Sequence, residues 1–170
     1  VDQVIFSGHA LNGIDGKNRL SIPAEFRETI VRRSNDRQVF IGPATGLDCL
    51  VAYDSTHRAE IRARLAAKGH DDDTADGALQ SIFRFGGVLP FSFDDAGRIV
   101  LSAGMKDLAD ITTHVWFIAG GDWFQMWNPY RFLEIPGVEP RLLRILRREM
   151  AAKGLPEIEP PRDAGEGVAS

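Results

Sequence analysis

With 170 residues and 44% hydrophobic content, the chain is sized for one compact domain or two small fused halves. No run of about 18 apolar residues occurs, and no basic stretch precedes an apolar one at the start, so neither a membrane span nor a secretory leader is expected and a cytoplasmic protein is. The formal charge of −4 excludes a uniformly basic nucleic-acid binder, and the single cysteine, Cys49, excludes an intrachain disulfide and a cysteine zinc cluster within the chain.

The average charge conceals segregation. Acids gather at Asp71-Asp72-Asp73, at Asp94-Asp95 and in the tail. Bases gather at Lys17, Arg19, Arg27, Arg32, Arg33 and Arg37, and again from Arg141 to Arg148. A protein can bind DNA with one face and be acidic elsewhere, which keeps its copies from binding DNA indiscriminately.

Taken in chain order, the pattern predicts two short strands, Val4 to Leu11 and Arg19 to Ile22, joined by a polar turn around Asp15. Pro23 suits the first turn of a helix on which Ile22, Phe26 and Ile30 share one face. Val39 to Ile41 and Cys49 to Tyr53 bracket Gly42-Pro43-Ala44-Thr45-Gly46, giving a second hairpin. Asp54 or Ser55 can cap a helix carrying Ile61 and Leu65, which Gly69 can end. Val88 to Phe93 and Arg98 to Leu101 read as two more strands, and His114 to Trp127 as a β-rich run. The last helix, Pro140 to Lys153, places Leu142, Leu146 and Met150 on one side and Arg141, Arg144 and Arg148 on another. From Leu155 onward, Pro, Gly, Glu and Ala predict a disordered tail.

The chain repeats itself. Phe6 to Phe85, Gly8 to Gly87, Asp15 to Asp94 and Arg19 to Arg98 each span 79 positions. The expected organisation is therefore a first half at 5–54, linking helices at 55–83, a second half at 84–130, a helix at 131–154 and a tail at 155–170. Each half carries Asp-x-x-x-Arg, with Asn18 or Gly97 immediately before the arginine. That position needs a left-handed backbone, which Gly permits and Asn tolerates. Asp15 and Asp94 can accept backbone N–H groups and stiffen the turn, so that Arg19 and Arg98 leave at a fixed angle. A guanidinium so presented can grip a phosphate or take guanine O6 and N7 together. A single such motif is ordinarily a hairpin ion pair; its duplication suggests two equivalent contacts to a repeated ligand.

At these residues the sequence resembles the MraZ family. Phe6-x-Gly8 followed by Asp15-Gly-Lys-Asn-Arg19-Leu-Ser-Ile-Pro23-Ala-Glu-Phe-Arg27 is similar to its first half, and Asp94-Asp-Ala-Gly-Arg98-Ile-Val-Leu to its second. The resemblance covers roughly Ile5 to Phe132. It implies an α+β, β-rich fold: tandem, pseudo-symmetric swapped-hairpin β-barrel halves of the AbrB and MazE kind, with flanking helices. It also implies closed rings of several protomers and a sequence-specific transcription regulator of cytoplasm and nucleoid. Such a regulator binds G-rich direct repeats of double-stranded DNA in its own promoter, ahead of a division and cell-wall gene cluster. The DNA-contacting roles transfer onto Arg19, Arg98 and Lys17, and the turn-organising roles onto Asp15, Asn18, Asp94 and Gly97. The family's usual glycine is Asn18 here, and the proline that follows the strand is replaced in the second half by Ala103, so the second helix is expected to begin late. In a ring, weak contacts to spaced repeats combine through effective concentration, raising avidity by ~10²–10⁴.

Other readings are weaker. Asp72-x-Thr74-x-Asp76-Gly77 has the start of a calcium loop, but Phe83 stands where a bidentate Glu is needed. His9, His57, His70 and His114 show no metal-ligand spacing, and no metal or cofactor is expected. Nucleophile-elbow, Walker and dinucleotide glycine patterns are absent, so the chain is not expected to be an enzyme with a small-molecule substrate. Trp116, Phe117, Trp123, Phe124, Trp127, Tyr130 and Phe132 suit a core and subunit interface better than a single-strand stacking platform. The alternative function is an antitoxin-like protein-interaction module of the same fold, although duplication and a short tail argue for the ring-forming regulator.

Overall fold

The computed structural model describes residues 4–69 and 74–162. His70 and Asp71 to Asp73, which include the start of the loop weighed for calcium, lie outside the described residues, as do residues 163–170 of the tail. Two compact units are present, one ending at Asn128 and one beginning at Pro129.

The first unit runs through β1 (His9–Gly13), β2 (Arg19–Ser21), α1 (Ala24–Ser34), β3 (Gln38–Pro43), β4 (Leu50–Tyr53), α2 (Ser55–Ala67) and α3 (Ala75–Ser81). A π-helical turn at Ile82–Gly86 follows, then β5 (Leu89–Ser92), β6 (Arg98–Val100), α4 (Ala103–Leu108), β7 (His114–Ala119) and β8 (Phe124–Trp127). Six strands form one antiparallel sheet in the order β1-β7-β8-β4-β3-β5, while β2 and β6 pair only with each other. Each half thus lays its first strand beside the other half's third: Leu11 faces Trp116 across β1–β7, and Val39 faces Phe91 across β3–β5. The fold is α+β as expected, but among the described residues no closed barrel forms. Pairing β2 with β6 keeps both out of the sheet and leaves β1 and β5 as its edges.

Period-two burial explains how the sheet holds its ribbon. Val39 and Ile41 of β3, Leu50 and Ala52 of β4, Val115 and Phe117 of β7, and Phe124 and Met126 of β8 are buried in one cluster. Leu20 and Ile99 of the ribbon, Phe26 and Ile30 of α1 and Met105 of α4 belong to that same cluster. Full burial of each of these side chains other than Ala52 stabilises by about 1.5–3 kcal/mol. The two halves share this core rather than owning one each. Across the sheet, Phe40 and Tyr53 pack with Ile61 of α2, and Asp54 caps that helix by accepting His57 N–H at 3.0 Å. Gly69, just past its end, has φ 71°.

Three local expectations need correction. The first strand begins at His9 rather than Val4, because Gly8 at φ 95° breaks the extended chain and leaves Phe6 only an isolated bridge to Gly121. Pro23 precedes helix α1 rather than occupying its first turn. The second helix does not begin late. The residue 79 positions after Pro23 is Ser102, and its hydroxyl accepts Met105 N–H at 3.3 Å, so α4 starts in register with α1. It ends early instead, at Leu108, with Asp110 at φ 57°; α1 runs to Ser34 before Asn35 takes φ 53°.

The second unit holds α5 (Pro129–Leu133) and α6 (Pro140–Ala152), the latter matching the predicted helix to within one residue. Leu146 and Met150 are buried, whereas Arg141, Arg144 and Arg148 are exposed. In the described part of the tail, Pro156 accepts the Tyr130 hydroxyl at 2.8 Å and Glu159 pairs with Arg131 at 2.8 Å.

Candidate nucleic-acid interface

Both Asp-x-x-x-Arg segments close hairpin turns between a sheet strand and a ribbon strand, and both use the same bonds. In the first, Oδ1 of Asp15 accepts the backbone N–H of Lys17 and of Arg19 at 2.9 Å, and Asn18 N–H donates to the Asp15 carbonyl at 3.0 Å. In the second, Oδ1 of Asp94 accepts Arg98 N–H at 2.9 Å, and Gly97 N–H donates to the Asp94 carbonyl at 2.9 Å. Asn18 has φ 59° and Gly97 φ 79°, the left-handed backbone that lets the chain reverse before the arginine.

The second carboxylate oxygen holds the arginine itself. Arg19 Nε lies 2.6 Å from Asp15 Oδ2, and Arg98 Nε 3.2 Å from Asp94 Oδ2. The side chains remain about two fifths exposed, at 39% for Arg19 and 41% for Arg98, so solvent screening leaves each pair little effect on stability. The Arg19 backbone N–H, followed by its side chain, holds the Asp15 carboxyl below its ordinary 3.8 against a smaller opposing effect of burial. For Asp94 the Arg98 backbone N–H is likewise the largest cause of a lowered value. Lys17 is exposed on the first turn.

The ribbon brings the two turns together. Arg19 stands opposite Val100 and Ser21 opposite Arg98, with Leu20 and Ile99 between them turned into the core at 0% and 2% exposure. Alternation then places Arg19, Ser21, Arg98 and Val100 on one outer face. The arginines are diagonal neighbours across the strands, a relation that sets Cα atoms ~7–8 Å apart. Two backbone bonds tie each turn to the other half's strand end: Ile22 N–H to the Gly97 carbonyl and Leu101 N–H to the Asn18 carbonyl, both at 2.9 Å.

Further cations reach the turns from outside the motif. Arg27 of α1 donates through Nε to the Ile22 carbonyl at 2.9 Å, and its guanidinium lies over Gly97. Lys106 of α4 donates to the Asn18 side-chain oxygen at 3.2 Å. Arg37 donates to the Asp94 carbonyl at 2.7 Å and to the Asp95 carboxylate at 3.0 Å. Sequence reasoning grouped Arg27 and Arg37 only as part of a basic stretch and passed over Lys106. The available signal was the 79-residue offset, which relates Arg27 to Lys106 as it relates the two turns.

Elsewhere, the aromatic run is divided by the sheet: Trp116, Phe117, Phe124 and Trp127 are buried, and Trp123 lines a cavity of about 400 Å³ with Tyr53, His57 and Phe83. Folding also assembles His57, Glu60 and Asp122, whose donor atoms lie within 4.8 Å of one another, the one such group among the described residues. These carboxylates answer the chain's own donors: Glu60 faces His57 at 3.2 Å and Arg64 at 3.9 Å, and Asp122 faces Arg33 at 3.3 Å. Cys49 is buried, and burial pushes its thiol up to about 12, so it is unreactive near neutrality.

No family model matches the chain. Curated relatives do. The chain is similar to a protein of Beijerinckia indica, 30% identical over 164 residues that cover 94% of this chain and 96% of the relative. It is similar to one of Methylocella silvestris, 30% identical over 161 residues with the same coverages, and to one of Rhizobium rhizogenes, 32% identical over 151 residues, 85% of this chain and 98% of the relative. All three are named transcriptional regulator MraZ. With identity at this level running nearly end to end in both partners, the chain belongs to the MraZ family of transcriptional regulators.

Proposed function

We propose that the chain is a DNA-binding transcription regulator that offers Arg19 and Arg98 side by side to duplex DNA, with Lys17 beside them. The observation that carries this reading is the shared outer face of the β2–β6 ribbon, where both arginines stand with their Nε atoms held by Asp15 and Asp94. A guanidinium has five donors, and this ion pair uses one of them, so the Nη end is left to reach a phosphate or the O6 and N7 of a guanine. Val100, 59% exposed and directly opposite Arg19, offers an apolar contact such as a thymine methyl takes.

One ribbon makes a small contact, and the net charge of −4 gives little general attraction to DNA. Assembly into a ring of protomers answers both points. It multiplies one weak contact over G-rich direct repeats. The targets in this reading are the chain's own promoter and the division and cell-wall genes behind it, in a cytoplasmic, nucleoid-associated protein. The relatives' names are those of regulators rather than enzymes, and the site offers a surface to a macromolecule rather than a pocket to a substrate.

The test is a mobility-shift titration of the full chain, Arg19→Ala and Arg98→Ala on DNA from upstream of its own gene, at two salt concentrations. Each substitution is expected to weaken binding by about tenfold or more with the oligomer unchanged on size exclusion. Undiminished binding by both variants would sink the proposal. A dimer on the column would favour the antitoxin-like alternative.

A further inference from the structure

We propose that each turn is set by a cation from the opposite half, and that Gly97 with Arg27, and Asn18 with Lys106, are two matched solutions to one problem, in which asparagine before the arginine is accommodated only beneath the lysine. This rests on the reading of Arg19 and Arg98 as the DNA contacts, and names the residues that position them.

A Cβ added to Gly97 would lie 2.3 Å from Arg27 Cζ, 2.4 Å from its Nε and 2.6 Å from its Nη1. The guanidinium therefore fills the space a side chain at 97 would need, and the Nε bond to the Ile22 carbonyl at 2.9 Å keeps it there. Ile22 in turn donates its N–H to the Gly97 carbonyl at 2.9 Å, so Arg27 closes a loop of contacts onto the residue immediately before Arg98. At the pseudo-symmetric position the problem is inverted. Asn18 has a side chain, and the cation above it is a slim ammonium that bonds Asn18 Oδ1 at 3.2 Å instead of displacing it. Leu101 N–H to the Asn18 carbonyl at 2.9 Å completes the equivalent loop.

The physical distinction is between a broad planar cation, which must leave its bond to the Ile22 carbonyl to admit a side chain beneath it, and a point-like one, which can share the space with an amide. Both hold a left-handed residue whose neighbour is the arginine, so the direction of Arg98 depends on helix α1 and that of Arg19 on helix α4. Arg27 and Lys106 are thus positioning residues. The two ribbon contacts are coupled through the opposite halves of the chain.

The experiment is a double-mutant cycle in the full chain: Gly97→Asn, Arg27→Lys and the two together, which transplants the first-half pair into the second half. Charge at position 27 is constant throughout, so general attraction to DNA is unchanged. Gly97→Asn alone is expected to lower the unfolding midpoint by about 2–6 °C and to weaken binding to the upstream DNA about tenfold. Adding Arg27→Lys should return both, the affinity to within about threefold of the original. A double variant no more stable than Gly97→Asn would overturn the pairing. Restored stability without restored binding would overturn the positioning role. If the unmodified chain does not bind the DNA, it is the proposed function that fails, while the melting cycle still decides whether the pair is matched. As a control on direct contact, Arg27→Ala should leave the slope of log affinity against log salt unchanged; a slope shallower by about 0.9 would make Arg27 a phosphate ligand and remove the proposal.

Discussion

The first and second halves of this chain are the same device built with different helices, and the difference shows how a buried charge is introduced or avoided. In the first half α1 is long enough to carry Arg33 back to the end of β4, where its Nε meets Asp54 at 2.9 Å with both side chains buried, at 7% and 0% exposure. Arg33 also donates to the Val4 carbonyl at 2.7 Å and lies 5.6 Å from the centre of the Phe6 ring. In the second half α4 stops at Leu108, and the residue that follows β8 is Asn128. Its neutral amide donates to the Asp110 carbonyl at 2.8 Å. A full-length helix thus goes with a buried ion pair, and a truncated one with a hydrogen bond to the backbone that ends it.

Removing each anchor should separate the two halves most strongly. Arg33→Ala leaves Asp54 as a buried carboxylate without its main counterion and should cost about 3–5 kcal/mol in urea unfolding. Asn128→Ala loses a neutral bond and should cost about 1–3 kcal/mol. Equal losses would mean that the ion pair is no more than a hydrogen bond in another form. On the functional side, Arg19→Ala and Arg98→Ala should weaken DNA binding to a similar degree, each by about 1–3 kcal/mol per contact, because the ribbon places them equivalently. If one variant binds as the original does, the halves are structural twins with a single working contact.

A smaller effect separates the turns. Gly97→Ala puts a Cβ against the Arg27 guanidinium at φ 79° and should cost about 1–3 kcal/mol. Asn18→Gly relieves a strained backbone while losing the Lys106 bond, so the net change in thermal stability should stay below about 1 kcal/mol. The smallest effect is with acid. Because both carboxyls sit below the ordinary 3.8 in the folded chain, their contribution is fully present above that value and is lost as pH falls through the lower folded ones. Carboxyl-carbon NMR titration should place Asp15 and Asp94 alike below 3.8; a value at or above it for either would detach that carboxylate from its turn.

What the sequence determined by itself was local. The alternation of apolar residues located the ribbon strands and the second hairpin, Asp54 and Gly69 marked the ends of α2, and α6 could be read from its apolar side and its proline to within a residue. Asp-x-x-x-Arg with Asn or Gly in fourth place specified a left-handed turn, because only a few residue types tolerate that backbone. Tertiary structure decided everything that depends on which element meets which. Pairing β2 with β6 put two arginines 79 positions apart onto one face, exchanged the sheet partners of the halves and laid Arg27 over Gly97 and Lys106 on Asn18. The reason is that a sequence fixes the periods and caps of its own segments over a few residues, whereas a partner across a sheet is chosen by the burial of the whole core.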